Sequence, residues 1–233
     1  MKFIAKGREP AELRKWRLRN KNTPQNLSYE NIPGAAKAEL RSTLLAEQGR
    51  LCAYTMLRLS TVDEGHIEHL SPQSVPPPKL GVAYANMVYC HPGANAPRCG
   101  FGAHRKDDAG VSGATFLSPL DLTCERRFTF ESGGQIRATD AHDDVAYKTI
   151  VLLGLDDKAL QIARRAAMQQ LPIYKCGPHA ISSAQIRKLT DRTLQRDSSG
   201  DFTPFAVALF QTLRRFEQRQ AAREAGARAK ARG

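Results

Sequence analysis

The chain has no long apolar run, and none of its apolar stretches approaches the ~20 residues that a membrane-spanning helix needs. Its first ten residues, MKFIAKGREP, lack the apolar centre of a secretory signal. A cytoplasmic protein with no membrane partner is therefore expected. Tryptophan occurs once in 233 residues, and carboxylates are few, with 23 Asp and Glu against 35 Lys and Arg. In a reducing compartment the five cysteines (Cys52, Cys90, Cys99, Cys124, Cys176) read as thiols or metal ligands, which excludes a disulfide-stapled miniprotein. There is no internal repeat. A hydrophobic content of 41% is ordinary for a globular chain able to bury a sizeable core.

The surplus positive charge is unevenly placed. Of the formal +12, residues 1–25 contribute +6 and residues 214–233 contribute +5. Basic ends around a near-neutral middle suit a polyanion, because Lys and Arg that neutralise phosphates release condensed counterions. The plainer alternative for the C-terminal end is a solubilising tail.

Periodicity divides the chain. A short basic helix carrying Trp16 is expected over 10–20. A second helix is expected over Ala35–Gln48, with Leu40, Leu44 and Leu45 on its apolar side and Gly49 as its stop. Residues 51–110 are rich in Pro, Gly, Cys and His and show little periodicity; a bound metal is the usual way to order such a stretch. RRFTFESGGQIRAT then alternates around Gly133-Gly134 and predicts a hairpin burying Phe128, Phe130 and Ile136. Helices follow over Asp143–Leu153, the segment LDDKALQIARRAAMQQL, Ser182–Arg196 and Phe205–Arg219, with fraying expected after Phe216. The fold class is α+β with helices dominating.

The chemistry concentrates in the insert. GHIEHLSP supplies His66, Glu68 and His69 directly before a turn. YANMVYC supplies Asn86 and Cys90, with His91 next, and RCGFGAHRKD supplies Cys99, His104, Arg105 and Lys106. Adjacent strand residues point to opposite faces, so Glu68 and His69 can share a site only where a strand ends, as Ser71-Pro72 predicts.

In this order the insert resembles an HNH (ββα-metal) nuclease, with His69, Asn86 and His104 at the three positions of that pattern. Together with LLAEQGRLCAYTMLRL and YKTIVLLGLDDKALQIARR, it is similar to the HNH nucleases encoded with retrons and to the PtuB nuclease family of the Septu anti-phage system. The resemblance implies a phosphodiesterase in which His69 is the general base, and Glu68, Asn86 and His104 hold a divalent Mg or Mn. It implies a structural zinc on Cys52, Cys90 and Cys99. Thr55 stands where a fourth cysteine is expected, so either His91 or His66 completes that set or the zinc is lost. It makes Lys106 and Arg105 phosphate contacts, and it implies an ABC/SMC-like ATPase (PtuA-type) as partner, with a retron reverse transcriptase and its msDNA in the retron case.

The implied organisation is a basic helical segment (1–50), an HNH module (51–110), a hairpin and helical region (111–216) and a basic flexible tail (217–233). The competing expectation is a zinc-stabilised nucleic-acid-binding or adaptor protein with a decayed nuclease site. Cys124 and Cys176 are expected as buried thiols, and His142 and His179 are given no role.

Overall fold

Leu40, Leu44 and Leu45, spaced for one face of a helix, are all buried in a computed structural model of the protein. It describes residues 1–72, 78–106, 116–175 and 181–230, with backbone alone at 78–79 and 224–230. Cys176, His179, residues 107–110 of the expected module and the last three residues of the tail lie outside the described residues.

The helix carrying these leucines, α2 (Gly34–Glu47), follows α1 (Ala11–Arg19). Gly49 ends α2 with φ +56°, and the Arg50 amide bonds back to the Leu45 carbonyl. A Cβ on Gly49 would lie 2.5 Å from the Phe202 ring, so the stop is set by packing as well as by backbone freedom. The region without periodicity contains β1 (His66–His69), β2 (Met87–Cys90) and the single-turn helix α3 (Ala103–Lys106). It runs strand, strand, helix, with β1 and β2 antiparallel and Glu68 opposite Val88.

The expected hairpin forms from β3 (Phe128–Phe130) and β4 (Ile136–Ala138), paired Phe130 to Ile136. Phe128, Phe130 and Ile136 are buried as the alternation requires. Four helices follow it: α4 (Asp144–Leu152), α5 (Lys158–Gln169), the short α6 (Pro172–Lys175) and α7 (Ser183–Thr193). Asp143, Asp157 and Ser182 cap α4, α5 and α7 through side-chain oxygens, which explains where each begins. The last helix, α8 (Ala206–Lys230), continues well past Phe216, where fraying was expected. The architecture is α+β, 46% helical with two small antiparallel sheets. No helix among the described residues is long and apolar enough to cross a membrane.

One buried polar side chain ties α2 to the strands. Gln48 accepts from the Tyr89 amide at 2.7 Å and donates to the carbonyls of Tyr89 and Leu51, both at 2.8 Å. It completes the outer edge of β2 as a neighbouring strand would. Gln48→Leu leaves the Tyr89 amide and the Leu51 carbonyl without this partner in a dry environment. The expected loss is about 2–3 kcal/mol of stability, measured by urea denaturation.

Candidate active site

Strand alternation puts His66 and Glu68 on one face of β1 and His69 on the other. The α3 side chains meet the first face in steps. The His104 ring stacks on His66, with centroids 5.5 Å apart. Two residues on, the Lys106 ammonium reaches Glu68 Oε1 at 2.6 Å. Lys106 also donates to the backbone carbonyl of His69. One cation therefore joins the carboxylate to the end of the strand. The Tyr54 hydroxyl donates to the same Glu68 oxygen at 3.2 Å. Burial, then the Glu68 charge, hold Tyr54 well above the usual phenol range, so it stays a donor. Phe116 packs edge-on against Tyr54 and lies 5.8 Å from the Lys106 nitrogen.

On the opposite side, His69 Nε2 lies 3.0 Å from the Gly81 carbonyl, and Tyr29 meets the imidazole edge-on at 5.0 Å. A carbonyl only accepts, so Nε2 carries the hydrogen and Nδ1 is the basic nitrogen of the neutral ring. Burial lowers the His69 pKa; the Gly81 bond and Glu68 oppose this and Lys106 adds to it. The net direction keeps the ring neutral and able to accept a proton near physiological pH. Glu68 and His69 thus lie at one strand end, on opposite faces and with separate partners.

Asn86 precedes β2 and clips the turn after β1. Its Oδ1 accepts from the Ser71 amide at 2.8 Å, and its Nδ2 donates to the Ser71 and Leu80 carbonyls at 3.0 and 3.1 Å. The Leu70 amide bonds to the Asn86 carbonyl, closing the turn from the other side. The amide hydrogens are spent on the backbone that positions His69.

The expected metal sets are assembled only in part. Glu68 is held by Lys106, Asn86 is engaged in the turn and His104 is stacked on His66. Among the described residues no group of three or more His, Cys, Asp or Glu is arranged to hold a metal. The residues thus do not present a ready ligand set for Mg or Mn. For the zinc set, Cys52 and Cys90 are brought together, but the Cys99 thiol donates to the Phe101 carbonyl. The His91 ring stacks on Phe101, and His66 Nδ1 donates to the Pro92 carbonyl at 2.6 Å. Thr55, buried beside Cys52, supplies hydroxyl and amide donors to its sulfur in place of a fourth ligand.

Complete burial raises the Cys52 pKa. Hydrogen bonds from Cys90, Thr55 and the His91 amide outweigh it and bring the thiol down to about 5. Burial and the neighbouring Cys52 push Cys90 well up. The two sulfurs share one proton.

The expected phosphate contacts also resolve differently. Lys106 is 6% exposed, with its charge spent internally. Arg105 is exposed and donates through Nε to the Val151 carbonyl at 3.1 Å, tying α3 to the end of α4. Tyr54, Tyr29 and Phe116 were missed. Tyr54 sits in the CAYT segment quoted for its cysteine, and Glu68's need for a buried donor was the signal that could have singled it out. No family model matches the chain, and no curated protein matches it.

Two outcomes are expected. Lys106→Met leaves Glu68 buried without its cation and lowers stability by about 3–5 kcal/mol in urea unfolding; adding Glu68→Gln recovers much of that loss. Separately, thiolate ultraviolet absorbance is expected to persist to a pH below the ordinary cysteine value, because donors converge on the Cys52 sulfur, and Cys52→Ser abolishes the signal.

Proposed function

We propose that the chain is an HNH endonuclease that hydrolyses nucleic-acid phosphodiesters, an effector of anti-phage defence acting beside an ABC/SMC-like ATPase in a Septu- or retron-type system. The observation that carries the reading is His69 at the end of β1, its Nε2 fixed on Gly81 and its Nδ1 basic, next to the Glu68–Lys106 pair. The strand–strand–helix order and the Asn86 clip support it.

In this reaction His69 Nδ1 takes a proton from water as the water oxygen attacks phosphorus, and the bond from phosphorus to the leaving oxygen breaks. The Gly81 hydrogen bond keeps the ring in the tautomer this requires. The Lys106–Glu68 pair, neutralised internally, holds the strand end that carries the base. The resemblance implies a divalent Mg or Mn as well, for which the described residues present no ready ligand set. His69 is only 7% exposed. We assign to the ATPase partner the uncovering of this base; a retron reverse transcriptase and its msDNA would join it in the retron case.

A second reading is favoured by one observation. The buried Glu68–Lys106 pair occupies the carboxylate that a catalytic cation would use, which suits a nucleic-acid-binding or adaptor protein with a decayed site.

Purified protein, with and without its ATPase, incubated with plasmid and total RNA in Mg or Mn and in EDTA, separates the two. The nuclease reading expects cleavage that His69→Ala reduces by about 10²–10⁴-fold. It also expects the acid limb of the pH profile to lie below 6.5, because the lowered pKa keeps the base unprotonated to more acid pH. Binding without cleavage under every condition supports the adaptor.

A further inference from the structure

Beside the His69 centre, α1 and two loops enclose a groove of about 230 Å³. Arg14, Arg17 and Lys21 line it from α1 and the turn that follows, against a single carboxylate, Glu9. Glu9 is engaged, accepting from Arg17 at 2.6 Å. Arg14 and Lys21 are exposed, and neither has a carboxylate partner among the described residues. Leu27 and Val82, both buried, form the apolar floor.

The floor connects to the candidate site. Val82 follows Gly81, whose carbonyl fixes His69 Nε2, and Leu27 lies two residues before Tyr29, whose ring meets the His69 imidazole. The same two loops therefore wall the groove and hold the base.

We propose that this groove binds the sugar-phosphate backbone of a polynucleotide, with Arg14 and Lys21 on its phosphates, and leads the strand toward His69. The proposal rests on the nuclease reading only for the direction of that path. Two exposed cations at separate points along one groove, neither with a carboxylate partner among the described residues, suit a repeating anion better than a single small one. Arg17, tied to Glu9, sets the middle of the groove. The apolar floor gives a base or sugar a dry surface.

The test is fluorescence anisotropy of a labelled oligonucleotide, as DNA duplex, single-stranded DNA and RNA in separate arms, with the full chain in EDTA. The wild type is compared with Arg14→Ala/Lys21→Ala and with Lys158→Ala/Arg165→Ala, which removes the same charge from α5. The groove variant is expected to flatten the slope of log affinity against log salt by about two, and the α5 variant to leave it unchanged. The arm with the larger change identifies the nucleic acid. Equal slopes for the wild type and the groove variant overturn the proposal, as does a wild type that binds no oligonucleotide. Labelled polyglutamate is a further arm; binding as tight as to the oligonucleotide, lost in the same variant, overturns the polynucleotide assignment in favour of an acidic protein surface. Groove-dependent binding by a chain that never cleaves defeats the nuclease reading and leaves the groove standing.

Discussion

Lys106 reaches from the last residue of α3 to two groups at the end of β1, and the candidate site is organised around that reach. At 2.6 Å and an effective dielectric of ~20, the Lys106–Glu68 attraction is about 6 kcal/mol. Each ion loses several kcal/mol on leaving water. The two terms nearly cancel, so the pair contributes little net stability. What it contributes is position. Glu68 can be buried only with a cation and a hydroxyl against it, and Lys106 can be buried only with the carboxylate and a backbone carbonyl. The helix end, the strand end and Tyr54 are thereby held in one arrangement, with His69 on the far side of the same strand end.

Around that point the polar side chains act mainly on backbone. Asn86 holds the turn after β1 closed, and Gln48 completes β2. Gly81 fixes the tautomer of His69. These are interior solutions to the demand that buried amides and carbonyls be paired. The cysteine cluster follows the same logic. With Thr55 beside Cys52, hydroxyl, amide and thiol donors converge on one sulfur, and charge is stabilised there by hydrogen bonds.

Much of the helical frame was legible in the sequence. Leucine spacing gave α2, Asp143, Asp157 and Ser182 marked helix starts, and alternation around Gly133-Gly134 gave the hairpin with its buried face. These features are local: a capping oxygen or a period of two is decided within a few residues. The residue cluster His66–His69, Asn86, Cys90 and His104–Lys106 was visible as a concentration of chemistry, and Ser71-Pro72 marked the end of the strand that carries Glu68 and His69.

The roles within the cluster were decided only by tertiary structure. Sequence order makes His104 and Lys106 equal candidates, because both lie on α3. The chain's path sets that helix across the His66–Glu68 face, so His104 stacks on His66 while Lys106 is buried on Glu68. Lys106 reads in sequence as a phosphate contact, since nothing nearby along the chain shows that a carboxylate 38 positions earlier will neutralise it. Asn86 and Tyr54 are similar cases, their partners fixed by strand pairing and burial. By itself the sequence determined helix phases, caps, the hairpin and the uneven placement of charge, because these depend on neighbours along the chain. Which ionisable groups meet, and which remain exposed in a groove, was decided by the fold, because only packing removes water from one lysine and leaves another in it.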